Sequence, residues 1–170
     1  TGYIDIFFEE RLIHKDSTYV VRRYDIKKDV TILIKERRLR EAVLVSHSHI
    51  DFLLNRIICS YFSLDDKVKS GKLKSMFDDF SYSRRVEVCK KVIDISRLVN
   101  DLKRLGTLRN ILAHTVYYQD ELFMEKPLTD KIVKFWALKG IELSRALLPE
   151  VIKVTSSNNK FPNQLWVLHK

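Results

Sequence analysis

Glycine and proline are scarce in this chain, four and three among 170 residues. That shortage disfavours an all-β protein, whose many tight turns consume both residues. Only two cysteines occur, Cys59 and Cys89, with no C-x-x-C spacing and no second pair to complete a zinc site. Free thiols in a reducing compartment are therefore expected, not a disulfide scaffold. No apolar run approaches the roughly 18 to 20 residues that a membrane helix requires. The opening TGYIDIFFEE carries acids where a signal peptide carries basic residues, so a soluble cytoplasmic protein with no membrane partner is expected. The absence of a Gly-rich phosphate loop, a Walker pattern and a nucleophile elbow sets aside NTPase and α/β-hydrolase chemistry.

What is present is helical in pattern. Hydrophobic residues make up 45% of the chain and aromatics 11%, enough to bury the core of a single domain. From about Asp29 the residues Leu39, Ala42, Val43, Ile50, Leu53, Leu54, Ile57, Ile58 and Tyr61 recur at spacings of three and four, which predicts one long helix ending near Phe62. SLDDKVKSGKLKSMFDDF reads as a loop with one short helix around Leu73 to Phe77. A second helix of about four turns starts near Ser81, with Ser81 or Ser83 as its cap. A third covers Arg97 to His114, with Gly106 a weak point inside it, and frays into Thr115-Val116-Tyr117-Tyr118. The fourth runs from a Thr129 cap to Leu148, where Pro149 stops it. The fold class is therefore all-α, an up-and-down bundle of about four to five helices. Residues 1–28 form an extension of uncertain, strand-like character, 29–150 the bundle, and 151–170 an extended tail docked on it, its Leu165-Trp166-Val167-Leu168 a short strand.

Thirty-one basic against 22 acidic side chains leave a net +9, which suggests a polyanionic partner. The excess is local. Residues 1–66 hold 11 of each sign; residues 67–109 hold 12 basic and 5 acidic; residues 110–170 hold 8 and 6. Lys67, Lys69, Lys72, Lys74, Lys90 and Arg97 belong to that middle stretch. So do Arg84, Arg85, Lys91, Lys103 and Arg104, the candidate RNA-binding set on two successive helices. A solvated helix face is the plainer explanation of the same pattern.

Immediately after this stretch comes Arg109-Asn110-Ile111-Leu112-Ala113-His114. On a helix, Asn110 and His114 share a face, while Arg109 is offset by about 140° from His114 and must reach round with its long side chain. Histidine titrates near neutrality, so His114 can move a proton to or from a ribose 2′-hydroxyl or a 5′-leaving oxygen. Arg109 stays charged and can hold a phosphate with its fork of N–H donors, and Asn110 can orient the histidine or bond a phosphate oxygen. Such chemistry needs no metal and no cofactor.

RNILAH resembles the R-x4-H signature of the HEPN superfamily, often written RNxxAH, and no other arginine here has a histidine at that spacing. AVLVSHSHIDFLLNRIICSYF and FSYSRRVEVCKKVIDIS resemble the flanking helices of a HEPN branch that includes mannitol operon repressor-like proteins, so the likeness spans residues 35–148. It implies a HEPN-like bundle and a metal-independent endoribonuclease whose catalytic residues are Arg109, Asn110 and His114, with two copies of the motif meeting across a homodimer. It also implies RNA as substrate and a toxin-antitoxin or anti-phage setting with a cognate antitoxin or defence-system partner. Since non-catalytic HEPN relatives exist, a regulatory or interaction module that binds nucleic acid or a protein stands as the alternative. A tyrosine-modified HEPN subgroup carries Tyr two residues after the His; here Val116 holds that place, ahead of Tyr117 and Tyr118.

His47 and Asp51, four apart on one helical face, are the supporting candidates, with Asp51 read as an acidic partner for Arg109 or His114. His47 and His49 lie about 200° apart round a helix and cannot chelate together, so no metal site is expected. Asp65-Asp66 and Asp78-Asp79 are read as helix caps, and Phe135, Trp136 and Trp166 as core or dimer contacts in preference to base-stacking platforms.

Overall fold

The computed structural model describes residues 5–13, 19–62, 75–157 and 164–169, with side chains described for 25–62 and 75–154. Asp65, Asp66, Lys67, Lys69, Lys72, Lys74, Phe161 and the Trp166 side chain lie outside the described residues. The architecture is a helical bundle, as the periodicity requires.

Helix α1 (Ile26–Lys35) starts on the Asp25 side chain, which accepts from the Lys28 amide at 2.9 Å, and buries Ile26 and Val30. The long helix expected from Asp29 onward is in fact two, because the chain turns at residues 36–38 before α2 (Leu39–Tyr61). Arg37 adopts a left-handed φ of 59°. The Arg38 amide donates to Leu33 O at 2.8 Å and the Arg37 amide to Ile34 O at 3.1 Å, which is the Schellman closure. Glycine is the usual residue at that position, so an arginine there gives no sequence signal.

α2 is the hub: it packs against α1 and against the three long helices that follow it, most extensively the last. Its buried residues Ala42, Val43, Ser46, His47, Ile50, Leu53, Leu54, Ile57 and Ile58 follow the three-four spacing. After a helical turn at residues 75–78, α3 (Tyr82–Val92) begins on Ser81, whose hydroxyl accepts from the Arg84 amide at 3.3 Å, and buries Val86 and Cys89. Cys59 and Cys89 are both buried free thiols. α4 (Val99–His114) starts two residues later than expected and buries Val99, Leu102, Leu105, Gly106, Leu108 and Leu112.

A two-stranded hairpin, β3 (Leu122–Phe123) with β4 (Lys126–Pro127), precedes α5 (Asp130–Ser157). The Thr129 hydroxyl accepts from the Ile132 amide at 3.4 Å and caps this helix. Pro149 does not end α5, which continues for another two turns. Pro149 is exposed while Leu147, Leu148 and Val151 are buried; the carbonyl it orphans, four residues back, therefore lies on the same outward side, where water can satisfy it. Where α2 crosses α5 the backbones nearly touch. A methyl group on Gly140 would clash with Ser46 Cβ, and the Ser46 hydroxyl donates to Ala137 O at 3.0 Å.

The strand-like ends pair with each other. β1 (Asp5–Ile13) lies between β2 (Tyr19–Asp25) and β5 (Gln164–His169), antiparallel to both, with Phe7 opposite Asp25 on one side and Val167 on the other. The strands at the two ends of the sequence thus form a small sheet attached to the bundle.

Candidate functional site

Leu108 and Leu112, both fully buried, fix the rotation of α4 about its axis. Asn110, Ala113 and His114 consequently face solvent, and Arg109 is half-buried at the edge of that face. The Arg109 guanidinium donates to Asn110 Oδ1 at 3.1 Å, which bends it toward the solvent side that carries His114. The motif ends where the helix ends. Thr115 is extended (φ −110°, ψ 141°), and its amide and hydroxyl both donate to Ile111 O, at 3.0 and 2.7 Å.

The loop after His114 is held from the start of α2. Arg40 Nη2 donates to Val116 O at 2.7 Å, and its guanidinium stands 5.8 Å from the centroid of the Tyr118 ring. The Tyr118 hydroxyl donates to Asp130 Oδ1 at 2.6 Å. Its pKa is pushed up to about 12 by burial and by the Asp130 carboxylate. Arg40 and Val116 are 76 residues apart, and no local pattern could have joined them.

Behind Arg109 lies a buried cluster. The His47 ring packs on Tyr82 of α3, centroids 4.1 Å apart and tilted by 40°. Tyr82 donates its hydroxyl to Leu102 O on α4 at 3.0 Å. Burial lowers the His47 pKa to about 4; Asp51 acts to raise it and Arg109 to lower it further, so both charges fall within electrostatic reach of the ring. Burial likewise raises the Tyr82 pKa, reinforced by Asp51. Tyr82 and Gly106 were missed as site-supporting residues. A helical glycine usually reads as a weakness, yet here it makes room for the Tyr82 ring.

Asp51 is not the partner of Arg109 or His114. It binds Arg85 on α3, Nη1 to Oδ2 at 2.6 Å, with the two side chains 28% and 16% exposed respectively. The spacing that places Asp51 toward the motif helix also places it toward α3, and the carboxylate is taken by Arg85 there. His49 has its Nε2 buried without a hydrogen-bond partner, and burial lowers its pKa to about 4. Among the described residues no three His, Cys, Asp or Glu side chains gather as metal ligands would.

The candidate RNA-binding cations divide. Lys103 pairs with Glu87 at 2.5 Å and Arg104 with Asp101 at 3.5 Å, while Arg85 is committed to Asp51. Arg84 is exposed with its guanidinium 5.6 Å from the Phe80 ring centroid, and Lys91 is exposed at the end of α3. The aromatic pair on α5 divides as well: Trp136 is buried at 5% exposure, but Phe135 is 58% exposed.

Comparison with protein-family models, with curated proteins and with solved structures found no match for this chain. Among the described residues no helix is long and apolar enough to cross a membrane.

Proposed function

We propose that this chain is a HEPN-type, metal-independent endoribonuclease that works as a homodimer in a toxin or defence setting in the cytoplasm. The observation that carries the reading is the exposed Asn110–His114 face, with Arg109 turned onto it by its bond to Asn110 Oδ1. In this mechanism His114 takes the proton from a ribose 2′-hydroxyl, whose oxygen attacks the adjacent phosphorus. The P–O5′ bond breaks, and His114 of a second copy protonates the leaving 5′-oxygen. Arg109 neutralises the charge on the pentacoordinate phosphorus, leaving a 2′,3′-cyclic phosphate and a 5′-hydroxyl. Arg84 and Lys91, exposed on the preceding helix, supply phosphate contacts whose strength falls with salt.

The test is cleavage of a mixed-sequence RNA in EDTA. Wild-type cleavage with loss of activity in His114→Ala, by about 100-fold or more, supports the proposal. An RNA-binding chain that cleaves nothing supports a second reading, a non-catalytic interaction module. That reading is favoured by the ion pairs that already occupy Arg85, Lys103 and Arg104.

A further inference from the structure

The β3–β4 hairpin and the first turns of α5 enclose an open groove with apolar walls. Phe123 and Trp136, 4% and 5% exposed, meet edge to face at 5.6 Å and form its fixed floor. Ile132 lies beside them, while Phe135 and Met124, 58% and 50% exposed, stand at its mouth. Its volume is about 310 Å³, space for one or two large side chains and at the lower limit for a ligand pocket.

The turn that delivers Met124 is strained. Met124 and Glu125 both have left-handed backbones, φ 54° and 63°, a conformation that hairpin turns ordinarily assign to Asn-Gly. A non-glycine residue held there is disfavoured by the crowding of its Cβ against the backbone. Keeping methionine at that point places a long, adaptable apolar side chain over the groove, where asparagine or glycine would leave it bare.

The charge at the groove has one sign. Lys126 and Lys131 line it, no carboxylate does, and neither lysine is ion-paired with a described residue. Two acids adjoin these lysines in sequence: Asp130 is engaged by the Tyr118 hydroxyl, and Glu125 stands exposed on the hairpin turn outside the groove lining. Nucleobases fit less well, because Trp136 is closed edge to face by both phenylalanines and only Phe135 presents an open ring.

We infer that this groove is a docking site for an acidic segment of a partner protein, which inserts one or two large apolar side chains between Met124 and Phe135 and sets flanking carboxylates on Lys126 and Lys131. The site is independent of Arg109 and His114, so it stands or falls apart from the ribonuclease reading.

The test follows the Trp136 indole N–H by NMR in the full chain, assigned through Trp136→Phe. Two synthetic peptides are titrated, both carrying Leu and Phe, one flanked by glutamates and the other by lysines, with oligouridine as a third probe. The glutamate peptide is expected to shift the resonance and saturate below about 1 mM. Phe135→Ala, an exposed position, should weaken it by about tenfold. The pair Lys126→Glu and Lys131→Glu should weaken it similarly and bring the lysine peptide up to comparable affinity. No saturable shift, equal response to both peptides in the wild type, or a shift by oligouridine alone overturns the proposal.

Discussion

The ring of Tyr82 fills the space that a side chain at position 106 would need: a Cβ on Gly106 would lie 2.8 Å from both Tyr82 Cδ1 and Cε1. Alanine for glycine inside a helix normally stabilises by up to about 1 kcal/mol. Here the sign should reverse. The ring cannot swing away, since it is packed on His47 and tethered to Leu102 O. Gly106→Ala should therefore destabilise by about 1–3 kcal/mol in urea unfolding, and Tyr82→Leu in the same background should recover part of the loss. A Gly106→Ala variant as stable as wild type would show that the contact is not tight.

Asp51 and Arg85 form a pair in which each side chain depends on the other. Arg85→Met leaves a partly buried carboxylate without its cation, and should cost about 2 kcal/mol, less than a fully buried pair because both groups keep some exposure. Asp51→Leu combined with Arg85→Met should restore most of that stability, as measured in a double-mutant cycle. Strictly additive losses would count against the pairing.

His47 and His49 are kept neutral by burial, both with pKa values near 4, whereas an unfolded histidine titrates at about 6.5. Between those values the unfolded chain binds protons that the folded chain refuses, so their stabilising contribution is complete above about pH 6.5 and is lost as pH falls toward 4. Chemical denaturation at successive pH values should show this decline. The variant with His47→Gln and His49→Gln should show a shallower one over the same window, and an unchanged slope would assign the effect to carboxylates instead.

Arg40 holds the loop that follows the motif helix, through Val116 O and the Tyr118 ring. Arg40→Ala removes the 2.7 Å bond to Val116 O and the contact with Tyr118. The loop that follows His114 should then exchange its amide protons faster, while global stability falls by only about 1 kcal/mol. If the proposed activity holds, cleavage should fall through kcat more than through KM, with lysine at position 40 restoring part of it. Unchanged exchange at residues 115–118 would remove Arg40 from this role.

Much of the bundle was legible because its signals are local. The apolar stripe of α2, the Ser81 and Thr129 caps and the helical setting of Arg109 to His114 all follow from spacing or from a hydroxyl next to a helix start. The misreadings share a different origin. The break at residues 36–38 is made by Arg37 in a conformation usually marked by glycine, and Pro149 sits within α5 because its outward side tolerates the missing bond. Gly106 reads as a defect within its own helix, because the Tyr82 ring that occupies its space comes from another one. Asp51 had two helices within reach, and periodicity cannot choose between them. Arg40 with Val116, and β1 with β5, are partnerships between distant segments that no window of neighbouring residues contains.

The register that sets Asp5 opposite His169 makes the strand pair a closure of very long range, with the helical bundle inside the loop it forms. Loop-closure entropy makes such a contact unfavourable until the intervening chain is already compact. The β1–β5 ladder should therefore form late in folding, so that protection of its amides from exchange would report on completion of the bundle it encloses.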